Sequence, residues 1–141
     1  MSAAVEKKTV RVAAAVIRQN GRILATRRGY GPDKGGWEFP GGKVEAGETE
    51  REALAREIRE ELDAAVSVGA RLARVGYERR GARLDMGFYL CELLSEGVTL
   101  REHADARWLR PEELDEPEWL GPDRAAVSLM RAALCAMEEE P

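Results

Sequence analysis

Residues 41–62 read GGKVEAGETEREALAREIREEL, and the fold of the whole chain is best approached from this stretch. Thr49 followed three residues later by Glu52 forms a capping box. The threonine hydroxyl accepts a first-turn N–H, and the glutamate accepts the N–H of the capping residue. This predicts a helix starting just after Thr49. Leu54, Ile58 and Leu62 recur every four residues and make one apolar stripe for a core. At about 100° per residue, Glu57, Glu60 and Glu61 fill an arc roughly 100° wide beside that stripe. Like charges at such spacing repel by about 0.2–0.5 kcal/mol per pair. They are either a solvated face of a charged chain or carboxylates gathered around a cation. A solvated face would point away from the core, so their place beside the stripe favours the edge of a pocket.

Upstream, TVRVAAAVIRQNGRILATRR holds two apolar runs, Val10 to Ile17 and Ile23 to Ala25, on either side of Asn20-Gly21. Asn-Gly between apolar runs predicts a hairpin, because both residues tolerate positive φ. A Gly/Pro-rich loop, GYGPDKGG, leads to the short apolar step WEF and then Pro40; residues 41–48 read as a second glycine-bearing loop. Downstream, AVSVGARLARVGYE and RLDMGFYLCEL predict two or three strands with a turn near Arg80-Gly81, and ARWL a further short one. RPEELDEPEWLGPD reads as a connector with a short helical turn, and RAAVSLMRAALCAM as a final helix before an acidic tail. The expectation is a single α/β domain over 1–141, with flexible ends at 1–8 and 138–141.

With 141 residues, 44% hydrophobic and 34% charged, the chain suits one soluble globular domain. No apolar run approaches the roughly 20 residues that span a bilayer. The opening MSAAVEKKTVRV lacks the apolar centre of a secretory signal, which predicts a cytoplasmic protein. Cys91 and Cys135 form no metal or disulfide pattern and both read as core residues, while the single His103 cannot build a histidine metal site alone. A net charge of −4 speaks against DNA or RNA as the main partner but is compatible with a small polyphosphate that arrives with cations.

Carboxylates on adjacent turns offer hard oxygen ligands, the kind that suit Mg²⁺ or Mn²⁺. The Gly-Gly loop lets backbone approach a phosphate or a metal, and Arg27, Arg28 and Lys43 lie nearby to meet phosphate oxygens. The spacing is also more specific than a cluster. Five residues separate Gly42 from Glu48, seven more separate Glu48 from Arg56, and Arg56 opens REIREE. This resembles the Nudix box, with every acidic and basic position filled. Two positions depart from it: Asp63 stands where the pattern has glycine, and the small Ala64 where it has a larger apolar residue. Asp tolerates the left-handed conformation better than most residues, so a slightly weaker helix end is expected and no loss of chemistry. AAAVIRQNGRILATRR followed by GGWEFPGGKVE is similar to the MutT branch of that family.

The resemblance implies an α/β/α sandwich around a mixed sheet, with the box as loop–helix–loop. It also implies Mg²⁺-dependent attack of water on a nucleoside triphosphate, with Mn²⁺ able to substitute, releasing monophosphate and pyrophosphate. By match to the box, Glu57, Glu60 and Glu61 ligate metal, Glu57 being favoured as the base, and the Gly41 carbonyl is a backbone ligand. Arg56 and Glu48 brace the motif. Glu102, six residues before Trp108, matches a further acidic ligand, or is a loop glutamate. Arg28 matches a phosphate contact, with Lys43 a second candidate or a surface charge. Trp37 is either a base-stacking ring or a core residue. Phe39 and Asp123 are candidate base contacts. Asp123 equally suits the first turn of the last helix, where the helix dipole favours acids; as a carboxylate it would read N–H donors on a base. The partner implied is a small nucleotide, with no nucleic-acid polymer or membrane, bound by a monomer or homodimer. Oxidised dGTP or CTP-type substrates are expected. Nucleotide sugars or ADP-ribose, and a non-catalytic nucleotide-binding module, are the alternatives.

Overall fold

A computed structural model describes residues 8–138. The ends expected to be flexible lie outside these residues, apart from Lys8 and Glu138, which are the outermost residues of a strand and a helix. Strands β1 (Lys8–Gln19) and β2 (Arg22–Arg27) turn through Asn20 and Gly21, whose φ values of 53° and 73° make the expected tight turn. The two pair only beside that turn, at Arg18 with Ile23 and Gln19 with Arg22. Short strands β3 (Trp37–Glu38) and β4 (Gly41–Lys43) follow. The first joins β2 and the second joins β1, so the chain crosses between them at Phe39-Pro40. The segment read from sequence as loop is thus partly sheet. Its glycines are required there, since a Cβ on Gly41 would collide with the Ala13 backbone.

Helix α1 (Glu50–Leu62) begins with both hydrogen bonds of the capping box in place. It ends on Asp63 at φ 49°, the left-handed cap that the sequence suggested. A long hairpin follows, β5 (Val66–Arg79) and β6 (Ala82–Leu93), two strands with register shifts between Val68 and Ala73. Its turn, Arg80-Gly81, has φ values of 49° and 75°. β6 runs parallel to β1 along its length, β7 (Asp105–Leu109) pairs with β2, and a 3-10 turn at Pro111–Glu113 precedes α2 (Gly121–Glu138). The last helix starts three residues earlier than the sequence reading had it, with Pro122 in its first turn, where proline's missing N–H costs nothing.

β1 is buried on both faces, which explains its unbroken apolar run. Ala14 and Val16 face a core completed by Ala126, Val127, Met130 and Leu134 of α2. Ala13, Ala15 and Ile17 face another, completed by Leu54, Ile58 and Leu62 of α1. The result is a mixed sheet between two helices. Glu50 pins the start of α1 to the sheet: it accepts from Arg74 at 2.8 Å, Arg11 at 3.0 Å and the Tyr89 hydroxyl at 2.9 Å. Burial opposes its charge, but these donors win and hold its pKa at about 2. Cys91 is buried as expected, whereas Cys135, beside inward-facing Leu134, turns outward and is exposed.

Candidate active site

The sheet edge formed by β3 and β4 opens into two clefts. The larger, about 500 Å³, is bounded by Phe39, Gly42, Lys43, Arg79 and Asp123 over an apolar floor that includes Val12 and Met86. The smaller, about 280 Å³, is bounded by Tyr30, Glu61, Glu102 and His103. Arg28, Glu38 and Gly41 line both.

On the acidic side, the Glu57 carboxylate lies against Gly42, where any side chain would displace it. Glu61 has a side chain only 18% exposed, and its Oε2 is buried without a hydrogen-bond partner. Burial, then the charges of Glu57, Glu38 and Glu102, push its carboxyl up to about 8. Glu102 accepts from the Tyr30 hydroxyl at 3.2 Å. Glu60 stands apart by exposure: its side chain, bonded to Arg56 at 3.3 Å, is 59% exposed against 16% for Glu57 and 18% for Glu61, and of the three only Glu61 lines a cleft. The helix therefore turns two of its three glutamates inward and leaves the third at the surface. Among the described residues no three acidic or imidazole groups already stand in chelating geometry.

Arg56 organises the loop before the helix. It reaches both oxygens of Glu48 at 2.8 and 2.9 Å, Glu57 at 2.9 Å, and the Lys43 carbonyl at 3.2 Å. The guanidinium fork is matched to a carboxylate in this way. Hydrogen bonds from Arg56 and from the Glu45 N–H hold Glu48 at about 2. Both residues touch the loop and the helix and neither lines a cleft.

On the other side, Phe39 stacks on Trp119 with centroids 4.7 Å apart and meets Phe88 edge-on at 5.9 Å. Asp123 sits in the first turn of α2 and is 2% exposed, with Oδ1 accepting the Phe39 N–H at 2.9 Å. Burial pushes its carboxyl up to about 8, which the Phe39 N–H and the charge of Arg28 only partly offset. Both sequence readings of Asp123 thus have a counterpart in its position. Trp37 lines neither cleft; it is partly buried and packs against the α2-side core, with Arg27 over its ring at 6.0 Å. Arg28 binds Glu38 at 2.6 Å and Asp33 at 3.2 Å, and exposed Lys43 marks the rim of the larger cleft.

Several cleft residues went unnoticed in the sequence. Glu38 lies within WEFPGGK, yet only its neighbours drew attention. Burial opposes its charge, but hydrogen bonding from His103 and Arg28 lowers its pKa. His103 was weighed only as a metal ligand; its side chain is 6% exposed. Arg79 and Arg80, at the tip of the β5–β6 hairpin, line the larger cleft and both ion-pair with Asp33. Burial and the nearby Arg80 and Arg28 lower the pKa of Arg79.

Known proteins agree with this architecture. The NUDIX domain family model matches residues 7–129. The chain is 37% identical over 107 residues to the CTP pyrophosphohydrolase of Escherichia coli strain K12, covering 75% of this chain and 79% of that one. It is 40% identical over 114 residues to the 8-oxo-dGTP diphosphatase of Haemophilus influenzae, covering 78% and 82%. The crystal structure of a MutT NUDIX hydrolase from Burkholderia pseudomallei superimposes with a TM-score of 0.78 at 28% identity, over 87% of this chain and 98% of that one. With every acidic and basic position of its box filled, its sheet between two helices, and these relatives along most of its length, the chain belongs to the Nudix family as a MutT-like pyrophosphohydrolase, a hydrolase of phosphoric anhydrides.

Proposed function

We propose that the chain hydrolyses (deoxy)nucleoside triphosphates to the monophosphate and pyrophosphate, clearing oxidised dGTP or CTP-type nucleotides from the cytoplasm with the help of Mg²⁺. One observation carries this reading: a cleft with an apolar floor and Phe39 in its wall meets an acidic cleft at Arg28, Glu38 and Gly41. A nucleotide has the matching form, a flat base at one end and a polyphosphate that travels with cations at the other. The named activities of the bacterial relatives support the same substrate class.

The residues fit a divalent cation. Glu61 has a buried oxygen with no donor, among carboxylates that raise its pKa, so positive charge is what the site lacks. Glu57, Glu61 and the Gly41 carbonyl would hold it, with Glu102 across the small cleft; Glu60 would join only by leaving Arg56. When bound, such an ion neutralises triphosphate charge and makes a water more acidic. Glu57, steadied by Arg56 and seated against Gly42, would take the proton of the attacking water as the phosphoric anhydride bond breaks. Arg28 and Lys43 are the phosphate contacts. Phe39 and Asp123 hold the base, and Arg79 supplies N–H donors opposite Asp123.

Near neutral pH a carboxyl held at about 8 keeps its proton, so Asp123 can donate as well as accept. This widens the sequence reading, in which it only accepts. A panel of canonical and oxidised (d)NTPs, UDP-glucose and ADP-ribose tests the assignment. Triphosphates should lead, and preference for UDP-glucose or ADP-ribose would overturn it. Asp123→Asn, which keeps an oxygen for the Phe39 N–H, should reorder the triphosphates; an equal effect on all of them returns Asp123 to a purely structural role.

The same variant has a stability signature. The folded pKa of Asp123 lies above its unfolded value near 3.8. The stability associated with its neutral form is therefore complete below about pH 4 and is lost as pH rises through about 8. Asn carries no such loss. The Tm advantage of Asp123→Asn should grow to several degrees between pH 4 and 8 and then level off.

A further inference from the structure

The small cleft holds a buried polar group that the reaction as described leaves unused. His103 lies in the loop before β7, which is fastened to the end of β2 by the Ala104 N–H to the Arg27 carbonyl at 2.9 Å. Gly29 allows that close approach, since a Cβ there would press on the Glu102 carbonyl. The loop drives the imidazole inward to 6% exposure. Its Nε2 stands 3.6 Å from Glu38 Oε2 and 3.9 Å from Glu61 Oε2, and its Nδ1 is buried without a hydrogen-bond partner. β3, α1 and this loop thus converge on one ring.

The two carboxylates flanking the ring are 16% and 18% exposed. Glu38 also has Arg28 at 2.6 Å, whereas the other charges acting on Glu61 are those of glutamates. Facing two acceptors, Nε2 is the nitrogen that carries hydrogen, which leaves Nδ1 as an acceptor inside the cleft. Without an N–H edge at that point, the repulsion of Glu38 on Glu61 would be offset from the Glu38 side alone, by Arg28.

We propose that His103 is a positioning residue for the hydrolytic site: the N–H edge of its ring, 3.6 Å from Glu38 and 3.9 Å from Glu61, stands between the two carboxylates as an electrostatic spacer and keeps Glu61 turned into the small cleft. This rests on the reading of Glu61 as a cation ligand. Partners behind a metal ligand typically change ion affinity by about 10- to 100-fold when removed. A histidine that merely fills space would not, so long as its volume is kept.

The test compares His103→Leu, which fills the space without a donor, with His103→Gln, which keeps an N–H. Mn²⁺ affinity is read by electron paramagnetic resonance without nucleotide, alongside kcat, KM and Tm. In the leucine variant Mn²⁺ affinity should fall about 10- to 100-fold. Its kcat should fall in step while KM for the nucleotide moves far less, and glutamine should recover most of both. Parental Mn²⁺ affinity in the leucine variant, or no recovery with glutamine, overturns the proposal. Should the leucine variant not fold, His103→Asn replaces it. Its amide is one methylene shorter and falls short of Glu61, so affinity equal to that of the glutamine variant is the overturning result. A parent protein that takes up no Mn²⁺ overturns the cation reading together with this one; the variants' results overturn this one alone.

Discussion

Glu61→Gln should leave a folded protein whose kcat on its best nucleotide is lower by about 10²–10⁴. A metal's share of transition-state charge stabilisation is several kcal/mol, and each 1.36 kcal/mol is tenfold in rate. The fold should survive, because the stripe that anchors α1 is Leu54, Ile58 and Leu62, none of which changes. Stability should rise, if anything. Burial and three neighbouring glutamates raise the carboxyl's pKa, and a neutral amide removes that repulsion. Opposite signs for Tm and kcat mark a group kept for chemistry at some expense to the fold. Turnover near that of the parent would remove Glu61 from the site. Glu57→Gln should lose a similar share of turnover without the gain in Tm, since it weakens the Arg56 pair at 2.9 Å.

Stripping divalent ions with a chelator should lower hydrolysis by on the order of 10³ or more, to background, and Mg²⁺ or Mn²⁺ should restore it. Glu57, Glu38 and Glu102 surround Glu61 with negative charge, which a triphosphate lying there would meet. Arg28 shares its charge with Glu38 and Asp33, so Arg28 and Lys43 alone do not offset those acids without a divalent ion. Raising NaCl instead of adding a divalent ion screens repulsion without supplying ligand bonds, and should not restore turnover. Rates that persist in excess chelator would reject cation-assisted hydrolysis.

The fold was legible where local chemistry and global structure agree. Asn20-Gly21, the Thr49–Glu52 box and the Leu54, Ile58, Leu62 stripe each specify their element within a few residues, and all three stand in the structure. β4 was not legible, because Gly41-Gly42-Lys43 has no strand preference of its own. It becomes a strand through pairing with Val12 to Ala14, far away in sequence. Cys135 looked like core because its neighbours are apolar, but a helix turns adjacent residues about 100° apart, and Leu134 takes the inward place. Similar limits apply to the site. The motif's spacing named Glu57, Glu61, Arg56 and Glu48, which share one short segment. Glu38, His103, Arg79 and Arg80 come from β3, a loop and a hairpin tip, and only the folded sheet brings them together. Spacing also could not tell Glu60 from its neighbours, since which carboxylates of the arc are covered depends on what packs over the helix.

Arg28, Glu38 and Gly41 are walls common to both chambers. If the base lies in one chamber and the phosphates in the other, a poorly seated base shifts walls that the phosphates also meet, and fit at one end of the nucleotide is felt at the other.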